Sequence, residues 1–348
     1  MFKKTLVLIF AFALALTACA PNAAEPTTLT VMTHDSFAVS EEVVAAFEEA
    51  QGVEVIFLAS GDAGSALNKA ILTKDAPLAD VFFGVDNTFL SRALEEGIFE
   101  AYDAPALAQI PAEFQLDVSH HALPVDFGDV CINYDKAYFA EKNLAVPTSL
   151  EELLDPAYRD LLVVENPATS SPGLAFLMAT IAHFGEEGYL DYWAGLRENG
   201  VVVVDGWETA YFTNFSASSG HGAQPMVVSY GSSPAAEVIF AESPLDDAPT
   251  ASILGAETCF RQIEFVGILN GTKKRALAEA FVDFMLSPEF QEDLPMQNFV
   301  YPVLPSAELP AEFLQYADIP ADPASLDPDL IATKREQWIQ AWTETVLK

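Results

Sequence analysis

Polar and apolar residues alternate along TLTVMT (28–33) with the two-residue period of a half-buried strand. The spacing then turns helical in EEVVAAFEEA (41–50), with Ser40 at the capping position and Gly52 at the stop. VEVIFL (53–58) reads as a second strand, SALNKAILTK (65–74) as a helix, DVFFG (80–84) as a third strand, and NTFLSRALEEG (87–97) as a helix capped by Asn87. Strand and helix in regular turn imply a parallel sheet covered by helices on both faces. Ligands of such sheets sit beyond the carboxyl ends of the strands.

The alternation resumes after residue 129. VCINYD (130–135), LLVVEN (161–166), VVVV (201–204) and PMVVSY (225–230) are strand candidates, and helices are expected over 172–184, 189–197 and 233–241. A long strand, CFRQIEFVGIL (259–269), and a helix over 273–286 follow. An amphipathic helix near 333–346 closes the chain, with Trp338 and Trp342 one turn apart as packing residues. The pattern predicts an α/β protein of two doubly wound lobes joined by a two-strand hinge. One lobe takes 28–128 with 262–310, the other 129–261, and 311–348 is a helical segment packed on both. The hinge crossings are expected near 126–131 and 257–264.

The N-terminus bears on the compartment. Lys3 and Lys4 precede an apolar run over 5–16 and then Leu16-Thr17-Ala18-Cys19, an export signal ending in a box that leaves Cys19 to carry lipid. The run is shorter than the roughly 20 residues a membrane span requires. Residues 19–27, rich in Ala and Pro, read as a tether, so the protein is expected outside the cell, held by lipid to the outer face of the cytoplasmic membrane. In that oxidising compartment Cys131 and Cys259, both at the expected hinge crossings, either pair and join the hinge strands or stand as separate buried thiols.

With 51 acidic against 16 basic side chains, the chain has a formal charge of -35 over 348 residues. Nucleic acid and anionic lipid are poor partners for such a surface, whereas a cationic small molecule is drawn to it. Solubility in a salty habitat accounts for the bulk charge equally well. There is no G-x-S-x-G and no glycine-rich phosphate loop with lysine. The five histidines contain no i, i+4 pair.

Four loops at strand or helix ends hold most of the residues able to carry chemistry. HDSF (34–37) offers Asp35 and Ser36, as anionic group and hydrogen-bonding neighbour or as simple turn residues. GVDNT (84–88) offers Asp86. NPATSSPGL (166–174) sets Ser170, Ser171 and Gly173 around Pro172 at a helix start, a place that holds a phosphate or merely caps. DGWETAY (205–211) and SYGSSPAAE (229–237) bring Trp207, Tyr211, Tyr230 and Ser232 to strand ends, where rings from separate strands converge on one edge. NFVYP (298–302) adds Phe299 and Tyr301 in a returning loop.

Taken in order, HDSF, GVDN, VDFGDVCINYDKAYF, NPATSSPGLAF, DGWETAY, SYGSSPA and NFVYPV resemble the thiamine-binding periplasmic proteins of ABC uptake systems, over about 28–346. The resemblance implies a type 2 periplasmic-binding-protein fold, a monomer that closes on thiamine, thiamine monophosphate or thiamine diphosphate and delivers it to a membrane permease. It also implies ligand contacts at Asp35, Trp207 and Tyr230, with no catalytic residue, metal or cofactor. The family usually has tryptophan where this chain has Phe299, a poorer π face for a cation. Thiamine joins a permanently charged ring to a flat aminopyrimidine, so its site needs aromatic faces and a carboxylate. Asp35 is the first choice for that carboxylate, and Asp205 and Asp86 come next. Two alternatives stand beside this reading: a thiaminase I-like enzyme with Cys131 as nucleophile, and a binding protein for polyamine or ferric iron.

Overall fold

A computed structural model describes residues 27–217 and 221–348. The export signal, Cys19 and most of the tether lie outside the described residues. In chain order the strands are β1 Thr27–Thr33, β2 Val53–Ala59, β3 Val81–Asp86, β4 Phe99–Glu100, β5 Leu123–Asp135, β6 Leu162–Glu165, β7 Val202–Val204, β8 Met226–Tyr230, β9 Thr250–Ile253, β10 Phe260–Leu269 and β11 Tyr301–Pro302. The helices are α1 Glu41–Gln51, α2 Ala63–Leu72, α3 Leu90–Glu95, α4 Lys136–Lys142, α5 Ser171–Glu198, α6 Trp207–Thr209, α7 Ser233–Ile239, α8 Arg275–Met285, α9 Pro288–Gln297, α10 Ala311–Tyr316 and α11 Pro328–Val346.

One sheet runs through the molecule in the order β2-β1-β3-β10-β5-β8-β6-β7. Its two ends are the parallel triplets that the alternation predicts, β2-β1-β3 and β8-β6-β7. The middle is antiparallel: β10 opposes β3 and β5, and β5 opposes β8. The two triplets therefore point at each other. Asp86, the last residue of β3, is paired with Glu264 of β10, which is paired with Asp126 of β5; four residues along β5, Val130 is paired with Tyr230, the last residue of β8. The carboxyl ends of both triplets thus meet over the middle of two strands that belong to neither.

Those strands cover 126–131 and most of 257–264, the segments where crossings are expected. Cys131 of β5 and Cys259, just before β10, form a disulfide across a sequence separation of 128 residues. Such a long closed loop removes much of the unfolded chain's freedom. Beside it the Arg261 guanidinium grips the buried Asp129 carboxylate through Nε at 3.0 Å and Nη2 at 2.8 Å. β5 is far longer than the expected 130–135, because its first half, from Leu123, is bound to β10 and carries two acids that mask its apolar pattern.

Local details differ from the pattern in informative ways. The helices expected over 172–184 and 189–197 are one run, α5, broken at Gly185, whose φ of 72° no helix contains. Asn87 caps no helix: its amide donates to Arg261 O at 3.1 Å and accepts from Ile263 N at 3.0 Å, pinning β3 to β10, and α3 begins three residues later. Ser40 precedes α1, but its hydroxyl is bound to Asp293 of α9 instead of the helix's own amides. α11 starts at Pro328, five residues early, behind the Asp327 cap. Trp338 and Trp342 are buried as expected, with Trp342 edge-on to Trp193 of α5 at 5.4 Å. Buried Arg335 donates to Thr88 O and Ser91 Oγ, both at 3.2 Å, so α11 touches α3 as well as α5. Among the described residues, no helix is long and apolar enough to cross a membrane.

Candidate functional site

Where the two triplets face each other lies a cavity of about 790 Å³. Trp207 and Tyr211 form one wall, their rings stacked 5.1 Å apart and 22° from parallel, with Phe212 edge-on to both. These rings are held by hydrogen bonds at their polar ends: Trp207 Nε1 donates to Ser229 Oγ at 2.8 Å, and the Tyr211 hydroxyl donates to the Glu237 carboxylate. Tyr230 lies flat on Gly128, where an added Cβ would come within 2.8 Å of its ring; only glycine leaves that ring its place. Phe299 and Phe240, which also line the cavity, meet edge to face at 5.1 Å.

The other wall is anionic. Asp62, which caps α2, accepts from Ala63 N at 2.7 Å and, across the cavity, from Ser171 N at 3.2 Å and Trp207 N at 3.1 Å. It occupies the electropositive start of α5. Burial raises the Asp62 carboxyl above its usual range, and these amides oppose that rise. Glu264 lines the cavity at 8% exposure. Burial, then the charges of Asp126 and Asp86, push it well above the usual range. Asp126 is fully buried, neither of its oxygens accepts a hydrogen bond, and burial pushes it up to about 7. Asp86 is raised by burial to about 6, although Oδ1 accepts from Thr88 N at 2.6 Å. His34 Nε2 lies 3.8 Å from Glu264, but burial lowers the imidazole to about 4, so it brings no charge at neutral pH. Among the described residues lining the cavity there is no lysine or arginine.

Of the residues singled out in the sequence, Ser36, Ser171, Trp207, Tyr211, Tyr230 and Phe299 line the cavity. The others do not. Asp35 is exposed in a turn, its amide on Gly61 O, and the carboxylates at the cavity are Asp62 and Glu264 with the outer Glu208, Glu237 and Glu242. Asp86 lies below the cavity in the sheet. Ser170 is fully buried before α5, and Gly173 is a packing glycine, since a Cβ there would come within 2.6 Å of Glu165 O. Ser232 donates to Phe299 O and so shapes the loop behind the ring. Tyr301 stacks on Phe127 at 5.3 Å and donates to Ala317 O, inside a small separate core. Cys131 is buried and spent in the disulfide, so no thiolate is present for the nucleophilic alternative. No group of His, Cys, Asp or Glu among the described residues is arranged to hold a metal ion.

Sequence reasoning missed Asp62, Asp126 and Glu264. Asp62 follows β2 and precedes α2, the same strand-to-helix position that drew attention elsewhere. Asp126 and Glu264 interrupt otherwise apolar strands, and an acid in a buried strand is itself a signal of function.

The family model for "Bacterial extracellular solute-binding protein" matches residues 76–333. The chain is 32% identical to the thiamine-binding periplasmic protein of Salmonella typhimurium over 99% of both chains, and 31% identical to that of Brucella suis over 93% of both. A solved periplasmic thiamin binding protein superposes with a TM-score of 0.80 at 29% identity, covering 92% of this chain and 96% of that one. The chain therefore belongs to the bacterial extracellular solute-binding proteins, with the type 2 periplasmic-binding fold.

Proposed function

We propose that the protein captures thiamine, free or phosphorylated, in this cavity and delivers it to an ABC permease, without acting on it chemically. The observation that carries the reading is a cavity with stacked rings on one side and buried carboxylates on the other, lined by no lysine or arginine among the described residues. Aromatic faces contribute about 0.5–2 kcal/mol per cation contact. Nanomolar capture needs about 12 kcal/mol, so burial of both ligand rings and a fixed counter-charge must supply the rest. The relatives named for thiamine, matched nearly end to end, support the same ligand. Ser36, Ser171, Trp207, Tyr211, Tyr230 and Phe299 are the ligand-facing residues of this reading, with Glu264 replacing Asp35 as the counter-charge.

We further assign 28–128 with 262–310 to one lobe and 129–261 to the other, closing about β5 and β10, with 311–348 strapped across them. The protein acts as a monomer, exported by residues 1–18 and held by lipid on Cys19. Titration of the purified soluble form with thiamine, its phosphates, spermidine and ferric ion, followed by tryptophan fluorescence, tests the ligand. Quenching by the thiamine series alone is expected. A response to spermidine or iron, with none to thiamine, overturns the assignment.

A further inference from the structure

Three carboxylic acids stand side by side on adjacent strands of the sheet. Glu264 of β10 is in register with Asp86 of β3 on one side and Asp126 of β5 on the other, so all three project to the same face. Like charges directly opposite one another on a sheet repel. Here they are also buried, at 0%, 8% and 0% exposure for Asp86, Glu264 and Asp126. Both oxygens of Asp126 and Oδ2 of Asp86 accept no hydrogen bond.

Asp126 and Glu264 stand directly opposite one another in a buried site, where two carboxyl groups cannot both ionise without strong repulsion, so the pair holds a proton. The other groups facing Glu264 do not relieve the row: His34 from the loop after β1, Asp62 from the loop before α2 and Tyr230 from β8. Arg261, on the same strand, is committed to Asp129. Only Glu264 of the three opens into the cavity.

We propose that the cleft takes up its cation in exchange for a proton held in the row Asp86–Glu264–Asp126, leaving Glu264 ionised as the counter-charge that faces the ligand. This rests on the reading that the ligand is a permanently charged, thiamine-type cation. The O–H bond of the shared carboxyl breaks, its electron pair stays on oxygen, and the proton passes to solvent. The positive ring then neutralises the repulsion that had kept the proton in place. The free protein keeps a proton in the row, and affinity rises with pH across the range in which the row titrates, from about 6 for Asp86 and about 7 for Asp126 upward.

The test is calorimetry with unphosphorylated thiamine, because phosphate esters carry a proton of their own that titrates near pH 6. At neutral pH, two buffers of different ionisation enthalpy should give different heats, corresponding to release of about one proton per ligand. Between about pH 6 and 8 the Kd of the unaltered protein should fall by up to about tenfold per pH unit. Asp126→Asn removes the facing acid while burial and Asp86 remain, so it should shift this profile to lower pH and bind more tightly than the parent at the acid end. Tight thiamine binding with equal heats in both buffers overturns the proposal, as does a pH profile in Asp126→Asn unshifted from the parent's, which would place the proton on the ligand or on another group. Complete absence of thiamine binding overturns the assigned ligand, a failure distinct from tight but pH-independent binding.

Discussion

The two walls of the cavity solve opposite problems. The ring wall is relaxed: Trp207, Tyr211 and Tyr230 each have a hydrogen-bond partner for their polar ends, and their faces pack on one another or on glycine. Its cost was met when the chain folded. The acid wall is not relaxed, since Asp86, Asp126 and Glu264 crowd one face of three strands and leave oxygens without donors. Under the proposed exchange a proton offsets its cost in the free protein and the cation does so in the complex. Shape is thus preformed on one side while electrostatic need is stored on the other, and the contrast separates what positions a ligand from what attracts it.

The largest break in this contrast is Glu264→Gln. Loss of the one row carboxylate open to the cavity should weaken thiamine binding by on the order of 100-fold at pH 8, read by calorimetry. A loss below about threefold would mean that the acid wall is not the counter-charge. Trp207→Ala should weaken binding by about 5–30-fold, corresponding to about 1–2 kcal/mol of ring contact, and should abolish the fluorescence quench. If quenching survives, another ring faces the ligand. The smallest change sharpens the contrast: Phe299→Trp enlarges the π face that this residue presents to the cavity and should tighten binding by about two- to fivefold. Weaker binding in that variant would show that Phe240, already edge-on to Phe299, fills the space the indole needs.

The ring wall was largely legible in the chain, because DGWETAY and SYGSSPAAE place aromatics at strand ends, and strand ends follow from local patterning. The acid wall was not. Asp35 has the right local setting, after β1, yet it is exposed in its turn, with its amide on Gly61 O, and does not line the cavity. Asp126 and Glu264 sit within strands and matter because of which strands adjoin. Tyr301 shares the NFVYP loop with Phe299, but packing against Phe127 and Phe313 takes it into a core of its own.

By itself, then, the sequence determined the alternating elements, the placing of the cysteines in or beside long strands and the rings at the strand ends, since each depends on periodicity or on neighbours a few residues apart. Tertiary structure alone decided that β10 lies between β3 and β5, and hence that Asp86, Glu264 and Asp126 share one face although 40 residues separate the first from the third and 138 the third from the second. Strand pairing is a non-local choice made by burial of whole sheet faces, and no local window of sequence records which acids it will bring together.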